Sequence, residues 1–177
     1  MENQNKVRAD LRQLIPFFIV AFVGIIYHLR FRPMAGDDVF FSQATSELGL
    51  WNYLIQRYET WTSRFVIEFL LVWIIKYPIL WRLIDLALFI SFPVLISKIF
   101  DGGKLMDWCA AAAVLLYPFH DMGTAGWITT TVNYFWPVWG MFFVGFLLKK
   151  MLVHKKINIV EGIAGVLVCV IASSHEQ

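Results

Sequence analysis

Charge is scarce in this sequence. Lys and Arg together number 15 and Asp and Glu 13 in 177 residues, or 16%, where soluble domains carry about 25%. Charge this sparse cannot solvate a whole surface, and 59% of the residues are hydrophobic. The net charge of +2 is too small to draw the chain to nucleic acid, and no RNA- or DNA-binding signature is present. Basic residues stand beside apolar runs instead. Cysteine is scarce too. Cys109 and Cys169 both lie inside apolar runs and form no C-x-x-C, which argues against a metal or redox pair. No small-residue cleavage site follows the first apolar run, so MENQNKVRADLRQ is not read as a signal peptide. Residues 13–29 read as an uncleaved anchor. No internal repeat is visible, which counts against a transporter built from duplicated halves.

What is present is a series of apolar runs approaching the roughly 20 residues needed to cross a bilayer. The mean hydropathy is +0.63. Six candidate segments cover residues 14–29, 65–81, 83–100, 105–119, 134–148 and 157–172. Pro16 is tolerable near a helix start, and Asp101-Gly102-Gly103 is a turn signal. The expected fold is all-α: a polytopic membrane helix bundle of five to six membrane segments. It forms a single transmembrane domain over residues 1–177, and the abrupt ending one residue after His175-Glu176 reads as the N-terminal part of a longer protein.

Between the first two runs lies a loop of about 35 residues. In it Trp51, Leu54, Ile55 and Tyr58 fall at i, i+3, i+4 and i+7, one helical face. Trp and Tyr favour the membrane interface, so an interfacial helix is expected there, with a helix packed on the bundle as the alternative. The segment KKMLVHKK, Lys149–Lys156, carries four lysines and reads as cytoplasmic, as does the arm bearing Lys6, Arg8 and Arg12. An even number of crossings must then separate residue 12 from residue 149, yet five candidates intervene. Either 65–81 or 105–119 fails to cross. Both repairs leave the first loop, residues 120–136 and Ser173–Glu176 on the outer side of a bacterial cytoplasmic membrane.

Four polar stretches on that side could carry chemistry. Asp37 and Asp38 follow Gly36 directly, and their carboxylates could hold a divalent cation, Mg or Mn. They could equally act as general base, or cap a helix. In WTSRF, Arg64 could fork onto a phosphate or snorkel to lipid headgroups. The Gly/Thr-rich interruption between residues 117 and 137 contains His120, Asp121, Trp127, Asn133 and Tyr134. Irregular backbone at membrane depth survives where it lines a cavity or is covered by protein. His175 and Glu176 could add polar groups to the same cavity. Within the runs, Glu68, Lys76 and Asp85 are costly in lipid and are expected to face protein or water.

This order of motifs resembles a known superfamily. A first span, then GDD in a loop with an interfacial helix, then WTSRF, GWITTTVNYFWP and SSHE, resembles the GT-C polytopic glycosyltransferases. It is similar in particular to an uncharacterised bacterial multi-pass family of GT-C-like character. The resemblance implies a polyprenyl-phosphate sugar donor held in the membrane lipid, and sugar transfer to a cell-envelope acceptor on the outer face. It maps the loop acid of such enzymes onto Asp37 or Asp38. Arg64 would meet the phosphate of the donor, and Trp61, Trp127 and Tyr134 would stack on sugar rings. The alternatives are a noncatalytic multi-pass membrane subunit and a small transporter.

Overall fold

The computed structural model describes residues 2–31, 34–46, 48–117 and 127–173. Among these the regular structure is helical throughout, and the all-α expectation holds. α1 is Glu2–Arg30, α2 Asp37–Gln43, α3 Gly49–Thr60, α4 Phe65–Ile74, α5 Pro78–Phe100 and α6 Gly103–Leu115. α7, Ile128–Thr130, passes through a π-helical turn, Thr131–Phe135, into α8, Trp136–Leu152; α9 is Ile159–Ser173. Three stretches are long and apolar enough to cross a membrane: Gln13–Arg30, Pro78–Phe100 and Ile128–Leu152. At 1.5 Å per residue, α4 and α6 reach only about 15 and 20 Å, short of a hydrocarbon core of about 30 Å.

Local chemistry sets several boundaries. The expected break near residue 82 lies earlier, because Pro78 occupies the first turn of α5, where its missing N–H costs nothing. α5 ends where Asp101 turns left-handed, at φ 48, ahead of two glycines. Pro16 is not near a helix start: α1 begins upstream and runs through it. α9 starts with a reciprocal cap, in which the Glu161 N–H donates to Asn158 Oδ1 at 2.8 Å and the Asn158 N–H to Glu161 Oε2 at 3.0 Å. The π turn has its own cause. Pro137 cannot donate to the Asn133 carbonyl, and the Trp136 N–H bonds back to the Thr131 carbonyl, five residues away.

Side-chain bonds fix the course of the chain. Arg82, near the start of α5, donates to the carbonyls of His28 and Phe31 at the end of α1. Those carbonyls have no partner inside α1's own helical ladder. Where the apolar stretch of α1 begins, Gln13 meets Asp107 of α6 at 3.4 Å, and Asp107 is also bonded by Ser97 of α5. Lys149, in the last turn of α8, donates to the Lys98 and Ile99 carbonyls and to Asp101. Gln13, the α5–α6 turn and Lys149 therefore share one end of the bundle, the lysine end. The end of α1, helices α2 to α4 and the start of α7 share the other, the acid end.

α1, α5, α6 and α7–α8 alternate in direction, so residues 13 and 149 lie at the same end. The segment that does not run from end to end is 65–81. α4 begins beside α3 and leads to Lys76, whose ammonium bonds Thr45 at 3.1 Å, and from there into the acid-end start of α5. α9 runs back along α8. Gly165 faces Leu147, and Gly140 faces Val168 and Ala172, so closely that an added Cβ would stand 2.5–2.7 Å from the nearest side chain. Small residues let membrane helices approach in this way.

The core concentrates at the acid end, where Ile67, Leu71, Val72 and Ile74 of α4 pack with Trp81, Phe89 and Val132. The outward faces stay apolar: Phe18, Phe22 and Leu83 are more than 60% exposed, as suits helices bathed in lipid rather than water.

Candidate functional site at the acid end

Asp38 is completely buried, although it is only the second residue of α2. Its carboxylate accepts four hydrogen bonds. Oδ1 takes the Thr129 N–H and the Thr129 hydroxyl, both at 2.8 Å, and Oδ2 takes the Ile128 N–H at 3.1 Å and the Met34 N–H at 3.2 Å. Ile128 and Thr129 open α7 and carry N–H groups that no helical carbonyl can reach. Asp38 therefore caps a helix some 90 residues further along the chain and sits at the positive end of its dipole. Beside it, Gly36 holds φ +54 and faces the Trp127 ring so closely that a Cβ would stand 2.0 Å from Cη2. The GDD and WITT motifs are the two halves of one joint.

Asp37 differs from its neighbour in being exposed, in the first turn of α2. Of the two carboxylates, it is the one whose oxygens are open to an acceptor or a cation. Among the described residues no group of three His, Cys, Asp or Glu side chains converges, and the Asp38 oxygens are occupied by N–H and O–H donors.

A second cluster adjoins the first across α2. Glu68 of α4 is buried and accepts from the Tyr53 hydroxyl at 3.2 Å and Arg57 Nη2 at 3.1 Å. Burial, reinforced by the Glu68 carboxylate, pushes the Tyr53 phenol up, so it stays protonated and donates. The Arg57 guanidinium lies over the rings of Phe41 and Trp61, 5.7 and 5.6 Å from their centroids. Glu68 and Lys76 thus have separate partners. The expected stripe on α3 is divided. Trp51, Ile55 and Tyr58 are at least half exposed, whereas Leu54 turns inward together with Tyr53. Replacing Glu68 by Ala leaves Arg57 and Tyr53 without their acceptor and is expected to cost about 2–3 kcal/mol. Proteolysis of the α3–α4 segment checks it: unchanged cleavage rates would show that the cluster does not hold α3.

The remaining site residues scatter around this end. Trp61 is 71% exposed. Arg64 caps α4 and its Nε donates to Thr62 Oγ1 at 3.0 Å. Tyr134 is half exposed, while Asn133 is buried with its Oδ1 lacking a hydrogen-bond partner among the described residues. His120, Asp121, His175 and Glu176 lie outside the described residues.

Deeper in the bundle is a polar network that the sequence motifs did not flag. His28 Nε2 lies 3.0 Å from Asp85 Oδ2, His28 Nδ1 lies 2.7 Å from the Gly24 carbonyl, and Trp136 Nε1 donates to Asp85 Oδ1 at 2.7 Å. A carbonyl only accepts, so Nδ1 carries a proton. The Nε2–Oδ2 bond then holds one more, and the pair is net neutral whichever atom keeps it. The signal was available in part, since Asp85 is an acid inside an apolar run, but nothing local marks His28 as its partner. Close by, Trp81 Nε1 donates to Thr131 Oγ1 at 2.8 Å, tying α5 to the π turn.

No family model, curated protein or solved structure matches this chain.

Proposed function

We propose that this membrane-embedded chain is a GT-C-like glycosyltransferase that uses its acid end to move a sugar from a polyprenyl-phosphate donor to a cell-envelope acceptor. The observation that carries the reading is the joint between GDD and WITT, which gathers motifs from distant parts of the sequence at one end of the bundle. The lysine-rich turn lies at the other end. In this reading the lysine end is cytoplasmic and the acid end faces outward from a bacterial cytoplasmic membrane. α6 and α9 complete a set of five membrane segments with α1, α5 and α8, and α3 rests in the interface on Trp51, Ile55 and Tyr58.

Asp37 is the general base. It takes the proton of the acceptor hydroxyl as that oxygen bonds to the anomeric carbon. The anomeric C–O bond to phosphate breaks, and polyprenyl phosphate leaves with the electron pair. Arg64 stabilises the charge that develops on it, and Trp61, Trp127 and Tyr134 offer flat faces to sugar rings. Asp38 positions the site by holding α2 against α7. The test is a transfer assay on the purified full chain in detergent, with a panel of short-chain polyprenyl-phosphate sugars and cell-envelope extract as acceptor. Asp37→Asn is expected to lower transfer 10²-fold or more with an unchanged melting temperature. Transfer that survives this substitution removes the base, and an inactive wild-type chain that binds no donor removes the reading.

A second reading, a noncatalytic membrane subunit, draws on the saturation of Asp38. A carboxylate with four donors in place is built to hold helices together, and that role needs no substrate.

A further inference from the structure

A cleft of about 350 Å³ opens at the lysine end, far from the acid-end site, between the end of α5 and the α8–α9 turn. Lys98, Lys149, Lys150 and Lys155 line it against the single acid Asp101, with Phe146 and Val153 as apolar wall. The four ammonium groups are not equivalent. Lys149 has three donors and three acceptors, the carbonyls of Lys98 and Ile99 and the Asp101 carboxylate. It is fully engaged in closing the end of α5 and occupying Asp101, whose carboxyl it holds below the usual aspartate range. Lys150 directs two N–H groups at the oxygens of Glu161, both at 2.7 Å, and lies 5.9 Å from the centre of the Phe146 ring. Lys98 and Lys155 are exposed, and their ammonium groups form no hydrogen bond or ion pair among the described residues. The cleft is thus a basic pocket whose one acid is already neutralised, with two ammonium groups, one from α5 and one from the α8–α9 turn, still to be satisfied.

We propose that this cleft binds the phosphate of an anionic phospholipid, clamped between Lys98 and Lys155. Phosphate offers several acceptor oxygens to donors arriving from different elements, as these lysines do. The choice of lipid over a water-borne phosphate follows from position. The cleft sits where the apolar runs of α5 and α8 end, and Phe146 and Val153 give it a wall suited to the glycerol and first acyl carbons. Phe100 and Leu152 beside it are exposed, continuing that apolar surface toward the lipid. Basic pockets between membrane helices recognise headgroups on this principle.

The test titrates the full chain in nonionic detergent with dihexanoyl phosphatidylglycerol, dihexanoyl phosphatidylcholine and inorganic phosphate, following the melting temperature. The phosphatidylglycerol is expected to stabilise the protein saturably and the phosphatidylcholine to leave it unchanged. Lys98→Gln with Lys155→Gln is expected to weaken that binding ~30-fold, taking each lysine at its usual strength beside an anionic surface. Lys104→Gln with Lys156→Gln removes the same charge from the same end but outside the cleft, and is expected to change it less than about 3-fold. Equal losses in the two double variants would reveal diffuse attraction and overturn the site. Stabilisation by inorganic phosphate equal to that by the lipid would overturn the lipid assignment, as would equal responses to both lipids. If the Lys98/Lys155 variant melts lower without ligand, its affinity is read by native mass spectrometry, where undiminished lipid retention counts against the proposal.

Discussion

Asp38→Asn is expected to destabilise the protein by about 3–5 kcal/mol, while Asp37→Asn one position away stays within about 0.5 kcal/mol. The asymmetry follows from the donors. Four N–H or O–H groups converge on the two oxygens of Asp38. An amide keeps one oxygen and turns an NH2 toward the other pair of donors, of which only the Thr129 hydroxyl could turn round to accept. Whichever oxygen is lost, one backbone N–H in the first turn of α7 is orphaned, so the start of the 128–152 span frays and the π turn below it loses support. Gly36→Ala is expected to act in the same direction for a different reason: its Cβ would overlap the Trp127 ring while the backbone holds a positive φ. Thr129→Val, which removes one donor and leaves the carboxylate three, is expected to cost about 1 kcal/mol. Thermal unfolding in detergent of the four variants checks the series. An Asp38→Asn protein that melts with the wild type would show that Asp38 does not hold this joint.

The second large effect is expected inside the bundle. Asp85→Ala leaves His28 Nε2 and Trp136 Nε1 facing each other across an empty acceptor site, and should cost about 3–5 kcal/mol. His28→Leu alone is expected to be nearly as harmful, because it leaves a buried carboxylate with Trp136 as its one remaining donor. The double variant His28→Leu/Asp85→Leu removes both halves of the pair and fills the space with hydrocarbon. Its cost is expected to fall well below the sum of the single costs, by 2 kcal/mol or more. Reversible unfolding of the wild type, both single variants and the double closes the cycle, and additive costs would mean that His28 and Asp85 do not depend on each other. The net neutrality of the pair makes the result sharp. Either single change strands a polar group in the interior, whereas the double change strands only the Trp136 N–H.

These two joints also show why part of the design was readable in the sequence and part was not. GDD and WITT stood out because glycine, paired acids and an interrupted apolar run are local anomalies in a greasy chain. Their joint depends on a contact between residues 38 and 129, and no pattern within either motif encodes it. Reading Asp37 and Asp38 as equivalent missed the helical step of about 100° that points one to solvent and the other into the core. Glu68 shows the same limit. An acid inside an apolar run is expected to face protein or water, but nothing local names its partners: Glu68 found Arg57 and Tyr53 on another helix, and Lys76 found Thr45 in the loop.

The sequence by itself determined that this chain is helical and belongs in a membrane. Runs of apolar side chains must leave water, and in lipid each backbone N–H and C=O of such a run must bond within its own helix; both demands act locally. It also determined where several helices begin and end, through Pro78, Asn158 and the Asp101-Gly102-Gly103 turn. Only the tertiary structure decided which run stays at one end, that α4 at 10 residues does so, and which partner each interior charge takes. A buried charge accepts whichever partner the packed helices bring within about 3 Å, and that distance is a property of the assembled bundle.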